Sequence, residues 1–169
     1  FTTKEHVVNI EAGLESSITA QGLFATVNLS NIAYSADGVP QTLASLKFEY
    51  KRKYSESDSE PWIAKEFAAS TIQGGELTIN LPFEGEDYLM ELNEYHYRIS
   101  LTPKDANYRT YTFGEYTFKC KEAVITSEIS APSLSYDIVN DVPIITAVVN
   151  RAKLFYDGVS LEDYAHDYP

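Results

Sequence analysis

Three aromatic side chains, Trp62, Tyr108 and Tyr111, are the residues of this chain best suited to recognition chemistry. Each carries a flat apolar ring with one polar atom. A ring of that kind left at a surface stacks on the apolar face of a sugar or anchors a protein interface. Trp62 follows the polar run Ser55-Glu-Ser-Asp-Ser-Glu60, and the two tyrosines follow the turn-forming stretch Pro103-Lys-Asp-Ala-Asn107. Reactive chemistry is thinner. The chain contains no Gly-x-Ser-x-Gly elbow, no His-Glu-x-x-His and no glycine-rich phosphate loop, so no catalytic residue is assigned and no enzyme is expected. His6, His96 and His166 lie far apart in unlike contexts, which argues against a zinc site. The acidic stretches Ser55 to Glu60, Glu84-Gly-Glu-Asp87 and Asp37-Gly38 offer oxygen atoms to calcium, but none has the ligand spacing of an EF-hand loop, and they read as solvated turns. No metal and no cofactor are expected. Cys120 continues an apolar strand face and reads as a buried thiol rather than a nucleophile. Asn28-Leu-Ser30 matches the glycosylation acceptor pattern but falls inside a strand pattern and reads as chance.

The elements that must position these residues are strands. In Tyr95-His-Tyr-Arg-Ile-Ser-Leu-Thr102, Tyr95, Tyr97, Ile99 and Leu101 share one face while His96, Arg98, Ser100 and Thr102 share the other, the period of a half-buried strand. The same alternation marks Leu23 to Ser30, Leu46 to Arg52 and Leu77 to Leu81, with shorter segments at Val7–Ile10, Trp62–Phe67, Tyr108–Phe113 and Tyr116–Cys120. Asp37-Gly38, Pro40, Gly74-Gly75 and the Pro103 stretch punctuate them. Nothing of helical period exceeds a turn or two. The expectation is an all-β fold, a two-sheet antiparallel β-sandwich over residues 17–122, preceded by an N-terminal segment, 1–16. Residues 123–132 read as a linker, and 133–169 as an incomplete second β unit with strands Leu134–Ile138 and Ile144–Val149 around Asn140-Asp-Val-Pro143. Thr146 to Val159 can be laid over Thr26 to Val39 so that the threonines and the Asp-Gly-Val triplets coincide, which suggests an internal repeat beginning near Ile129.

Leu89, six residues before Tyr95, together with Glu94, Tyr95, Tyr97, Arg98 and Ile99, resembles the fibronectin type III family, in which a tyrosine opening a late strand hydrogen-bonds back to the preceding corner. Trp62 resembles the aromatic often seen on that family's C′ strand. The phrase Leu-Asn-Glu-Tyr-His-Tyr-Arg, followed by Gly-Glu-Tyr-Thr-Phe, is similar to modules in surface lipoproteins of gut Bacteroidetes. The tryptophan usual on the family's B strand is absent here, and there is no Arg-Gly-Asp, so integrin binding does not carry over.

The resemblance implies an extracellular or cell-surface module of bacterial type. A formal charge of −12 disfavours nucleic acid and anionic membranes as partners. No run of about 18 apolar residues is present to span a bilayer, and Phe1-Thr-Thr-Lys-Glu-His lacks the layout of a signal peptide. The expected role is a non-catalytic spacer or a protein- or glycan-binding domain, with Trp62, Tyr108 and Tyr111 as the ligand-binding residues. The alternative is a structural assembly subunit, of a virion or surface appendage, forming a homo-oligomer in which a neighbour completes the C-terminal unit by strand addition.

Overall fold

The computed structural model describes residues 7–53, 61–129, 133–148 and 153–160. The chain divides into two compact units, Phe1–Glu122 and Ala123–Pro169. Among the described residues the regular structure is almost all strand, paired antiparallel, with one short 3₁₀ turn at Ala69–Thr71.

The first unit holds β1 (Ile10–Ala20), β2 (Ala25–Ala36), β3 (Val39–Pro40), β4 (Leu43–Arg52), β5 (Ile63–Ala68), β6 (Leu77–Leu81), β7 (Glu94–Pro103) and β8 (Tyr111–Lys119). β2 pairs with β1 along one side and with β6 and the two-residue β3 on the other. The second sheet runs β5-β4-β7-β8. Every second residue of the central strands is buried, because a pleated strand alternates its side chains between two faces. Val27 and Leu29 of β2, Ile79 and Leu81 of β6, Leu46, Phe48 and Tyr50 of β4, and Tyr95, Tyr97, Ile99 and Leu101 of β7 belong to one apolar core fed by both sheets. Two four-stranded sheets around a shared core are consistent with a β-sandwich. Phe48 stacks on Tyr97 with ring centroids 5.6 Å apart, and Phe83 meets Tyr50 edge-on at 5.4 Å. The corner before β7 is closed by the Met90 amide, which donates to the Tyr95 hydroxyl oxygen at 2.8 Å, and Leu89 beneath it is buried. Tyr34 reaches across from β2 and donates to the Arg109 carbonyl at 2.7 Å, tying the β7–β8 connection to the first sheet.

Three strand boundaries differ from the sequence pattern. The expected strand at Val7–Ile10 is instead β1, which starts at Ile10 and belongs to the first unit. Its inward side mixes Ile10, Leu14 and Ile18 with the small residues Ala12, Ser16 and Ala20, so the apolar contrast along it is faint. β2 continues past Ser30 because Asn31 turns through the left-handed region at φ 55° and flips the alternation, handing burial from Leu29 to Tyr34 and Ala36. The segments Tyr108–Phe113 and Tyr116–Cys120 are largely one strand, β8. Its register shifts between Tyr97 and Ile99, so two residues, Gly114 and Glu115, face the single Arg98 and the inward parity changes from Phe113 to Tyr116.

The second unit comprises β9 (Ile125–Glu128), β10 (Ser133–Val139), β11 (Val142–Val148), β12 (Lys153–Tyr156) and β13 (Val159–Ser160). β10 and β11 form a hairpin whose turn residues, Asn140 and Asp141, both have positive φ, as the tight turns matching strand twist require. β9, β12 and β13 form a separate three-stranded sheet. Part of the expected linker, residues 123–132, is therefore strand. Ile125-Thr-Ser-Glu shows no alternation of its own and is held extended by pairing with Tyr156 to Lys153.

Candidate functional site

The period that buries Phe48 and Ile99 sends Lys47, Glu49, Lys51, His96, Arg98, Ser100 and Thr102 to the outer face of the β5-β4-β7-β8 sheet. Register then decides which of them meet. Glu49 pairs with Arg98 across β4 and β7, and the guanidinium forks onto the carboxylate: Nε donates to Oε2 at 2.8 Å and Nη2 to Oε1 at 3.2 Å. Lys47 Nζ reaches the same Oε1 at 3.2 Å. With its side chain only 7% exposed, Glu49 is an outward-facing residue buried by its own partners. Burial pushes its pKa up, but the bonds and charges of Arg98 and Lys47 outweigh this and hold the carboxyl below its ordinary value.

Trp62, just before β5, lies over this cluster. Its ring centroid is 4.2 Å from Arg98 Cζ and 5.0 Å from Lys51 Nζ, so the indole ring packs against two cations, and the residue is half-buried. Beyond the ion cluster a row of hydroxyls continues the face. Ser45 donates to Glu66, the Ser100 and Thr112 hydroxyls are 2.9 Å apart, and those of Thr102 and Thr110 are 3.2 Å apart. Together Glu49, Arg98, Ser100, Thr112 and their neighbours line an open polar groove of about 450 Å³. A carboxylate already neutralised by two cations, a supported ring and a line of hydroxyls suit hydrogen bonding and stacking.

Tyr108 and Tyr111 do not share this groove. Both are half-buried and pack against the core, and Tyr111 meets Phe113 edge-on at 5.0 Å on the inward side of β8. Tyr111 is thus separated from Trp62 by the thickness of the sheet, because it stands opposite Leu101 in the register while Thr112 faces out, and Tyr108 lies in the loop before β8. Arg98, Glu49, Lys47 and Lys51 complete the site around Trp62, and its partial signal in the sequence was the opposite charges at alternate positions of β4 and β7.

Of the other candidates, Ser55 to Glu60, His6 and His166 lie outside the described residues. His96 Nδ1 lies 3.9 Å from a Glu115 carboxylate oxygen. Glu84 to Asp87 form an exposed turn closed by the Glu86 amide on the Phe83 carbonyl. Asn28 accepts a cross-strand hydrogen bond from Thr78 at 3.0 Å. Among the described residues no group of three His, Cys, Asp or Glu side chains is placed to hold a metal ion, and no helix is long and apolar enough to cross a membrane. Cys120 is buried, and burial lifts its thiol pKa to about 11. No protein-family model matches the chain, and no curated protein or solved structure does.

Proposed function

We propose that this chain is a non-catalytic binding module of a secreted or surface-attached bacterial protein, fibronectin type III-like in its first unit, with Trp62 and the adjoining groove as its recognition face. The observation that carries the reading is the Trp62 indole, held against Arg98 and Lys51 beside a hydroxyl-lined groove that Arg98 also lines. A ring fixed in place loses little freedom when it stacks on a ligand. The strand order supports the family assignment: β1-β2-β6 follows the A-B-E adjacency of immunoglobulin-like sandwiches and β4-β7-β8 the C-F-G adjacency, with the intervening β5 paired to β4. The hydrogen bond from the Met90 amide to Tyr95 has the form of a tyrosine corner and supports it too. A glycan or a polar protein segment fits a groove of hydroxyls beside one stacked ring.

Titration calorimetry with a panel of soluble neutral and uronic-acid polysaccharides tests this reading. We expect at least one polymer to bind, and Trp62→Ala to weaken it by about thirtyfold or more. Tyr108→Ala should leave the affinity unchanged. Binding insensitive to Trp62→Ala, or no binding across the panel, counts against the glycan-binding form.

A second reading, an assembly subunit completed by a neighbour, draws on the β10–β11 hairpin, whose sheet contains no further strand among the described residues.

A further inference from the structure

A groove runs along β7 on the outer face of the β5-β4-β7-β8 sheet. Arg98, Ser100 and Thr102 occupy alternate positions of that strand, and all three line it. Lys47 and Glu66, opposite each other in the β4–β5 register, flank it on one side, and Thr110 and Thr112 on the other. Trp62 packs on Arg98 and so borders one end, while Thr102 and Thr110 stand at the other. From Arg98 to Thr102 the strand advances by about 13 Å, the length of about three linked pyranose rings.

Hydroxyls supply the open hydrogen-bonding capacity here. A hydroxyl offers one proton and two lone pairs, so the Ser100–Thr112 contact at 2.9 Å and the Thr102–Thr110 contact at 3.2 Å each leave a pair that can still donate and accept. Thr110 and Thr112 are the exposed members. The β7 backbone, by contrast, is paired with β4 and β8, so a peptide finds no ladder to extend on this face. Sugar hydroxyls, which also donate and accept, match the pairs. Charge narrows the ligand further. Four charged side chains line the groove, Lys47 and Arg98 against Glu49 and Glu66. Both cations are engaged with the buried Glu49 carboxylate, Arg98 through two hydrogen bonds and Lys47 at 3.2 Å. Glu66 accepts from Ser45 and stands exposed. An anionic ligand would meet Glu66 and would have to draw a cation away from a buried partner, and a cationic one would meet Arg98 and Lys47. Lys51 lies against the indole rather than along the groove.

We propose that the groove binds a neutral, linear oligosaccharide segment about three pyranose rings long, laid along β7 with one terminal ring stacked on Trp62 and the other at Thr102 and Thr110. The inference rests on the reading of Trp62 as the recognition face, and adds to it the charge, length and placement of the ligand.

Titration calorimetry of the full chain with cellotriose, xylotriose, mannotriose, maltotriose and trigalacturonic acid tests it, followed by the disaccharide and hexasaccharide of whichever neutral trisaccharide binds. We expect a neutral trisaccharide to bind at least about tenfold more tightly than trigalacturonic acid and about fivefold more tightly than its disaccharide, with less than about fivefold gained by the hexasaccharide. Thr110→Val removes one hydroxyl at the end far from Trp62, and should bring the trisaccharide to within about twofold of the disaccharide. Glu66→Gln should strengthen trigalacturonic acid by about threefold or more. Circular dichroism verifies the fold of each variant. Trigalacturonic acid binding as tightly as the neutral trisaccharides, and losing that affinity in Trp62→Ala, overturns the inference and leaves the recognition face standing. A disaccharide that equals its trisaccharide, or a hexasaccharide at least about tenfold tighter, does the same. Trisaccharides that fail to bind beside a polymer whose binding depends on Trp62 also overturn the inference alone. If neither trisaccharide nor polymer binds in a Trp62-dependent way, the reading of Trp62 as the recognition face falls with it.

Discussion

Glu49 shows how a polar position on an outward face becomes structural. Its carboxylate is shielded by Arg98 and Lys47, and its pKa in the folded chain lies below the ordinary value of 4.5. A depressed carboxyl contributes stability that is present above the unfolded pKa and is lost as pH falls through the folded one. Urea-unfolding free energies at pH 7 and at pH 3 should therefore fall more steeply for the native chain than for Glu49→Gln; parallel falls would remove Glu49 from the acid response. Tyr95 offers a cleaner deletion. Tyr95→Phe leaves the ring stacked on Phe118 but strips the partner from the Met90 amide, and should cost about 1–3 kcal/mol in urea unfolding. Cys120, with its thiol pKa lifted to about 11, is protonated and enclosed at pH 8. An aromatic disulfide reagent should leave it untouched in the native chain and react stoichiometrically in urea. Rapid native reaction would mean that the end of β8 opens readily.

At the scale of elements, the outcome depends on where a strand changes parity. A period of two transmits one residue's orientation down the strand, so a single bulge reassigns every side chain beyond it. The shift opposite Arg98 returns Tyr116 and Phe118 to the inward side of β8, where Phe118 stacks on Tyr95 at 5.3 Å. Turn chemistry fixes the other boundaries. Gly38 has φ 76°, and a Cβ added there would meet nothing within 4 Å, so Gly38→Ala isolates the backbone cost. We expect a loss of about 1–2 kcal/mol by thermal or urea unfolding, with binding at the Trp62 face unchanged. A neutral result would mean that β3 and its turn contribute little to the first unit.

For the whole molecule, burial is unevenly distributed. The first unit has a closed core drawn from two sheets, whereas the β10–β11 hairpin of the second exposes the side chains of both strands. Backbone amides are protected from exchange where their opening must also expose packed apolar surface. Hydrogen exchange read by mass spectrometry should find β4 and β7 protected at close to the global stability, and β10 and β11 exchanging faster by at least about two orders of magnitude. Comparable protection in both would mean that the hairpin face is covered in solution.

By itself the sequence determined the all-β class, the central strands and the turn positions, because a two-residue period and Asp-Gly or Asn-Asp pairs are local signals that act through neighbouring backbone. It also determined that Tyr95, Tyr97, Ile99 and Leu101 share a face, since that follows from pleat alone. Only the tertiary structure decided which polar residues meet. Nothing within Leu46 to Arg52 selects Arg98 as the partner of Glu49 from 49 residues away; that choice rests on the β4–β7 register. The same holds for Tyr111, whose inward orientation is set by its pairing with Leu101, and for the strand in Ile125-Thr-Ser-Glu, which exists through its partner β12. The local pattern specifies an alternation, and the pairing of distant strands specifies which side of it faces the core.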